Sequence, residues 1–160
     1  MSKLAQIAND IGLQLLAKRW RLVTAESCTG GWLAQVMTAN AGSSQWFERG
    51  FVTYSNVAKQ QSLGVDGALL AAHGAVSLPV ALAMAEGALH HSVAEVAMAI
   101  TGIAGPDGGS DLKPVGTVCF GWAVKEGVSA SCLEYFAGDR RKIRYAAVKH
   151  ALQLLSQLIY

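Results

Sequence analysis

The sequence predicts a single-domain three-layer α/β/α sandwich with a mixed sheet. Three observations carry this. Helical and strand-like apolar periods alternate through the first half of the chain. Two adjacent strand patterns then follow, joined by a short turn at Lys125-Glu126-Gly127, which reads as a hairpin and makes the sheet mixed rather than purely parallel. Finally, the 160 residues are 52% hydrophobic and 15% charged, with no linker, repeat or low-complexity tract, which fits one domain spanning residues 1–160 with a core of its own.

Taken in order, Leu4, Ile7, Ile11 and Leu15 recur at helical spacing and predict a helix from about Leu4 to Lys18. A short strand, Arg21 to Ala25, follows. Thr29-Gly30-Gly31 leads into a helix carrying Leu33, Val36 and Met37 on one side and ended by Asn40-Ala41-Gly42. The next strand is read at Gly50 to Tyr54. Ser55 or Asn56 caps a short helix through Leu63, and Ser77-Leu78-Pro79 opens an Ala-rich helix reaching His91, with proline favoured in the first turn. Val96 to Thr101 reads as a buried strand. It runs into Thr101-Gly102-Ile103-Ala104-Gly105-Pro106-Asp107-Gly108-Gly109-Ser110, too rich in glycine for regular structure. Gly116 to Val124 and Ser129 to Phe136 form the hairpin, and a helix from Asp139 to about Leu158 closes the chain.

Composition excludes several function classes. The most apolar stretch, Ala68 to Val96, is interrupted by His73, Ser77, Pro79, Glu86, His90 and His91, well short of the roughly 20 apolar residues of a membrane span. Asn9 and Asp10 stand where a secretory signal needs its apolar stretch, so a cytoplasmic protein is expected. The three cysteines, Cys28, Cys119 and Cys132, are odd in number and widely spaced, which suits reduced thiols rather than disulfides or a CxxC metal site. With a net charge of +2 and one dense basic run (Arg140, Arg141, Lys142, Arg144), the chain lacks the basic stripe of a nucleic-acid binder, and a small anion is the better partner for that run. An Ala-rich domain of this size leaves a homodimer open.

P-loop, dinucleotide-binding and zincin motifs are all missing. Ser110-Asp111-Leu112-Lys113 matches S-x-x-K formally but lies in a loop without its companion elements, and the four histidines show neither metal-ligand spacing nor a triad context. What remains is Ala25-Glu26-Ser27-Cys28-Thr29-Gly30-Gly31 at a strand-to-helix junction. There Ser27 is a candidate nucleophile beside backbone N–H groups able to hold an anion or oxyanion. The same spacing serves equally for Ser27 or Thr29 as a helix cap, with the glycines allowing close packing. Cys28 is a second possible nucleophile, or a small buried apolar residue. A serine nucleophile needs a base, and Lys59 is the candidate if burial lowers its pKa; Tyr54 is placed to support it, though either residue could be an ordinary helix or strand-end side chain. Thr101 and the glycine loop offer backbone able to approach a phosphate, and Arg140, in the first turn of the last helix, faces either an anion or solvent.

Together, Thr24 to Gly31, Phe51-Val52-Thr53-Tyr54-Ser55-Asn56 with Lys59, Ile100 to Gly109 and Gly138-Asp139-Arg140 closely resemble the CinA C-terminal domain family, in its stand-alone form, over essentially the whole chain. The resemblance implies hydrolysis of the carboxamide of nicotinamide mononucleotide to nicotinate mononucleotide and ammonia, in pyridine nucleotide recycling. It implies Ser27 as nucleophile, Lys59 as general base and Tyr54 as a supporting catalytic residue, with neither metal nor cofactor required. It further implies that Thr101, Gly102, Gly105 and Arg140 hold the nucleotide, with Asn56 and the Thr29-Gly30-Gly31 turn contributing. Only the resemblance supplies the pyridine nucleotide; the residues alone would suit many phosphorylated amides, or a nucleotide-binding module without turnover.

Overall fold

The computed structural model describes residues 1–160. The elements are α1 (Lys3–Lys18), β1 (Leu22–Glu26), α2 (Trp32–Met37), a 3-10 turn (Ser43–Gln45), β2 (Phe47–Val52), α3 (Asn56–Leu63), α4 (Gly67–His73), α5 (Leu78–His90), β3 (Val96–Gly102), β4 (Thr117–Val124), β5 (Ser129–Tyr135) and α6 (Arg140–Ile159). Five strands form one sheet in the order β2-β1-β3-β4-β5. β1 runs parallel to both β2 and β3, whereas β4 is antiparallel to β3 and β5 to β4, so the sheet is mixed as the sequence predicts.

Alternation along the strands splits the core in two. Val96, Met98 and Ile100 of β3 join Leu22, Val118 and Phe120 in a cluster with α1, α2 and α6, while Ala97 and Ala99 turn to the other face with Val23, Ala25 and Ala123, under α3, α4 and α5. Alanine is the commonest residue of the second cluster. On that face α5 approaches β4 closely: at Gly121 an added Cβ would lie 2.1 Å from the Ala81 carbonyl oxygen of α5, so only glycine permits that approach.

Local chemistry explains the helix starts. The Ser55 hydroxyl accepts from the Ala58 amide and that of Ser77 from the Val80 amide, and Asp139 caps α6 by accepting from the Lys142 amide. Two details depart from the sequence reading. β2 begins at Phe47, earlier than Gly50, because a register irregularity between Leu22 and Val23 lets the charged Glu48-Arg49 pair sit in an edge strand without breaking its pairing. α4 was not anticipated, being a single apolar run between glycines, too short for its period to show; Asp66 caps it through the Ala68 amide.

The topology decides where chemistry can gather. The C-terminal ends of β1, β2 and β3 share one rim of the sheet, and the antiparallel β4 and β5 bring the start of β4 and the start of α6 to the same rim. Such a rim is where open α/β sheets hold their ligands.

Candidate active site

Ser27 is the first residue after β1, and its amide donates to Ile100 O at 2.9 Å, extending the pairing with β3 by one residue. The chain then turns sharply. Gly30 N–H donates back to Ser27 O at 3.0 Å, and Gly30 and Gly31 take φ values of 60° and 99°, a region that favours glycine. No side chain caps α2 in the usual way, so neither Ser27 nor Thr29 is its N-cap. Instead the fully buried Glu26 carboxylate accepts from the Leu33 amide (2.8 Å), the Ala34 amide (3.0 Å) and the Thr29 hydroxyl (2.6 Å). The anion held by the start of α2 is thus the protein's own carboxylate, which leaves only the amides of the turn itself for an outside anion. The amides of Cys28 and Thr29 donate to no oxygen of the protein.

Lys59 lies on α3, only 2% exposed, with its amine donating to Thr53 O at 3.0 Å and standing 3.1 Å from Ser27 Oγ. Burial lowers its pKa below the ordinary lysine value, favouring the neutral amine a base requires. Burial, and then the neighbouring Glu26 charge, push the Cys28 thiol up to about 12, so Cys28 remains a protonated, packed thiol. All three cysteines are free.

A cleft of about 270 Å³ opens over this pair, lined by Ser27, Cys28, Tyr54, Gly102, Ile103, Ala104, Gly105, Asp107, Gly108 and Arg140. Tyr54 is largely exposed, and its hydroxyl accepts from Arg140 Nη2 at 2.9 Å; Arg140 Nη1 donates to Gly105 O at 2.8 Å. The arginine thereby ties the start of α6 to β2's end and to the glycine loop. Of the residues singled out from sequence, the structure brings Ser27, Lys59, Tyr54, Gly102, Gly105 and Arg140 together. Others sit apart from the cleft. The Thr29 hydroxyl is turned inward to Glu26, the Thr101 hydroxyl donates to Ala75 O at 2.9 Å, and Gly30, Gly31 and the exposed Asn56 lie outside the lining.

Ser110 and Lys113 form a turn, with the Lys113 amine donating to His73 O, away from the cleft. A larger depression of about 510 Å³ lies at the opposite end of the sheet, between the end of α5 and the β4–β5 turn, and contains none of the candidate catalytic or substrate-binding residues. No three His, Cys, Asp or Glu side chains converge anywhere in the chain. No helix is long and apolar enough to cross a membrane. The sequence marks no role for Glu26, and Arg144, expected with its basic run to face a small anion, meets the protein's own backbone instead. Arg144 Nε and Nη2 donate to the carbonyls of Cys28 (3.0 Å) and Thr29 (3.2 Å). The available signal was a buried-type position for an acid at a strand end and a cation in the early turns of a helix.

Fold and site define an α/β protein with a buried lysine against a serine at the rim of three parallel strands. The chain belongs to the CinA C-terminal domain family, whose model matches residues 4–159. It is 54% identical over 156 residues to the nicotinamide-nucleotide amidohydrolase PncC of Shigella flexneri, covering 98% of this chain and 94% of that one. The protein of the same name from Enterobacter agglomerans is 51% identical over 151 residues, covering 94% and 92%. Among solved structures, the competence/damage inducible protein CihA from Agrobacterium tumefaciens superposes with a TM-score of 0.96 at 43% identity, covering 100% of this chain and 98% of that one. A competence-damaged protein (CinA) superfamily protein from Enterobacter cloacae gives 0.94 at 34% identity, covering 100% and 94%.

Proposed function

We propose that this chain hydrolyses the carboxamide of nicotinamide mononucleotide to nicotinate mononucleotide and ammonia, as a step in pyridine nucleotide recycling. The observation that carries the mechanism is the buried Lys59 amine 3.1 Å from Ser27 Oγ. The substrate rests on the relatives named nicotinamide-nucleotide amidohydrolase, which match nearly end to end.

In this reading neutral Lys59 donates one N–H to Thr53 O, which orients its lone pair, and takes the proton of Ser27 as Oγ attacks the carboxamide carbon. The C=O electron pair moves onto oxygen, where the unengaged amides of Cys28 and Thr29 are the donors nearest in the chain. Protonated Lys59 returns its proton to the leaving nitrogen; the C–N bond breaks, ammonia departs, and an ester to Ser27 remains. Water then attacks that ester with Lys59 again as base, releasing the carboxylate and restoring the serine. Tyr54, whose hydroxyl oxygen accepts from Arg140, keeps its own proton free to donate toward the reacting groups.

Arg140, Gly102 and Gly105 line the cleft and are proposed to hold phosphate and ribose. Thr29, Gly30, Gly31, Asn56 and Thr101 complete the proposed binding set, with Thr29 and Thr101 acting through backbone because their hydroxyls are already engaged. No cofactor or metal enters any step. A cytoplasmic location, suited to three free thiols, and a homodimer belong to the same reading.

Ammonia release from nicotinamide mononucleotide, measured with chelator present and with nicotinamide and nicotinamide riboside for comparison, tests the proposal. Release from the nucleotide alone, undiminished by chelator, supports it. Nucleotide binding with no ammonia from any of the three would make the chain a binding module.

A further inference from the structure

We infer that Arg144 is a positioning residue for the reaction, holding the turn after Ser27 so that the Thr29 amide stays on the serine's side of that turn; this rests on the amidase reading above. Arg144 belongs to α6, far from β1 in sequence, yet two of its nitrogens meet consecutive carbonyls of the nucleophile turn, Nε on Cys28 O at 3.0 Å and Nη2 on Thr29 O at 3.2 Å. Its guanidinium carbon lies over the Trp32 ring, 5.6 Å from the centroid, a second contact that holds the side chain in place. Unlike Arg140, it is not among the cleft-lining residues, so its charge is aimed at the protein's own backbone.

The consequence follows from peptide geometry. In a trans peptide the C=O and the following N–H point in opposite directions. Drawing the Thr29 carbonyl toward Arg144 sends the Gly30 N–H the other way, and there it meets the backbone carbonyl of Ser27 at 3.0 Å, so the side opposite Arg144 is the one on which the Ser27 backbone lies. Drawing the Cys28 carbonyl toward Arg144 likewise sends the Thr29 N–H to that side, where it has no partner within the protein. An amide held ready in this way costs no reorganisation when negative charge develops on the carboxamide oxygen. Without the fork, the Cys28–Thr29 peptide is free to rotate and present its carbonyl oxygen instead.

The test is steady-state ammonia release from nicotinamide mononucleotide by wild type, Arg144→Met and Arg144→Lys, with circular dichroism of each. Losing one oxyanion donor lowers kcat about 10²–10³-fold. The expected result is a kcat loss of that order in Arg144→Met with KM within about threefold, because the residue touches no substrate. Arg144→Lys keeps the charge but offers no planar fork, and loses at least about tenfold in kcat as well; it decides the matter if the Met variant does not fold. Methylguanidinium added to Arg144→Ala restores part of the lost kcat. A kcat within about threefold of wild type in a folded variant overturns the inference, as does a raised KM at unchanged kcat, which would make Arg144 a substrate ligand. A wild type silent on the nucleotide rejects the amidase reading first, and this inference with it.

Discussion

Replacing Lys59 by Met separates catalysis from folding most sharply. The side chains have similar length, so the 2%-exposed site is refilled without a large void, while the amine 3.1 Å from Ser27 Oγ is lost. A positioned general base contributes about 10²–10⁴-fold, or about 2.7–5.4 kcal/mol of barrier, and kcat should fall by that much. Stability moves little, for two opposed reasons. Thr53 O loses its 3.0 Å partner, which costs about 1–3 kcal/mol, and the desolvation burden of a buried amine is relieved. A net change near 1 kcal/mol shifts Tm by about 2–4 °C in a chain of this size. Because the folded-state pKa of Lys59 is lowered, the unfolded chain binds more protons between that pKa and the ordinary value of 10.5, so this group makes stability rise with pH across the window; the variant loses that slope. Ammonia release and thermal melts at several pH values read all three effects. A folded variant with kcat within about threefold of wild type would refute the role of Lys59 as base.

The same lowered pKa shapes the activity profile: kcat/KM rises with pH as Lys59 loses its proton, at a midpoint below 10.5, and a limb that appears only above that value would contradict a buried neutral base. Arg140→Met removes a guanidinium from the cleft and should raise KM for the nucleotide about 10–100-fold with a smaller effect on kcat, since hydrogen bonds to a charged group contribute about 1.5–3 kcal/mol; an unchanged KM removes Arg140 from substrate binding. Glu26→Ala strips two buried donors and one half-buried donor of their partner and should destabilise by about 3 kcal/mol, lowering Tm by about 6–12 °C, whereas a melt within 2 °C or so of wild type would show that the carboxylate is not what holds α2 to β1.

The parts of the fold legible in sequence were those with a long period or a capping residue. α1, α5 and α6 carry several turns of apolar repeat, and Ser55, Ser77 and Asp139 mark helix starts that the structure places within a residue or two of expectation. The mixed sheet followed from the turn at Lys125-Glu126-Gly127, where Glu126 takes a φ of 58°. α4 and the true start of β2 were hidden because a run of seven residues shows barely two helical turns and an edge strand tolerates charge. At the site, Ser27, Lys59, Tyr54 and Arg140 were visible as residue types at a predicted rim. Which hydroxyls turn inward was not, because the partners of Thr29 and Thr101 are Glu26 and Ala75 O, contacts set by tertiary packing. Nor does spacing reveal that Arg144, four residues from Arg140, serves the backbone while Arg140 faces the cleft.

Ser27→Ala compared directly with wild type tests whether Ser27 is the nucleophile of an amidase acting on a pyridine nucleotide. The substitution removes one oxygen beside Lys59 and leaves the backbone bonds of the turn in place. Ammonia release from nicotinamide mononucleotide is expected to fall at least about 10³-fold while calorimetry still detects nucleotide binding. Turnover within about tenfold of wild type would contradict it, because an amide cleaved without Ser27 has not passed through an acyl-enzyme on that residue.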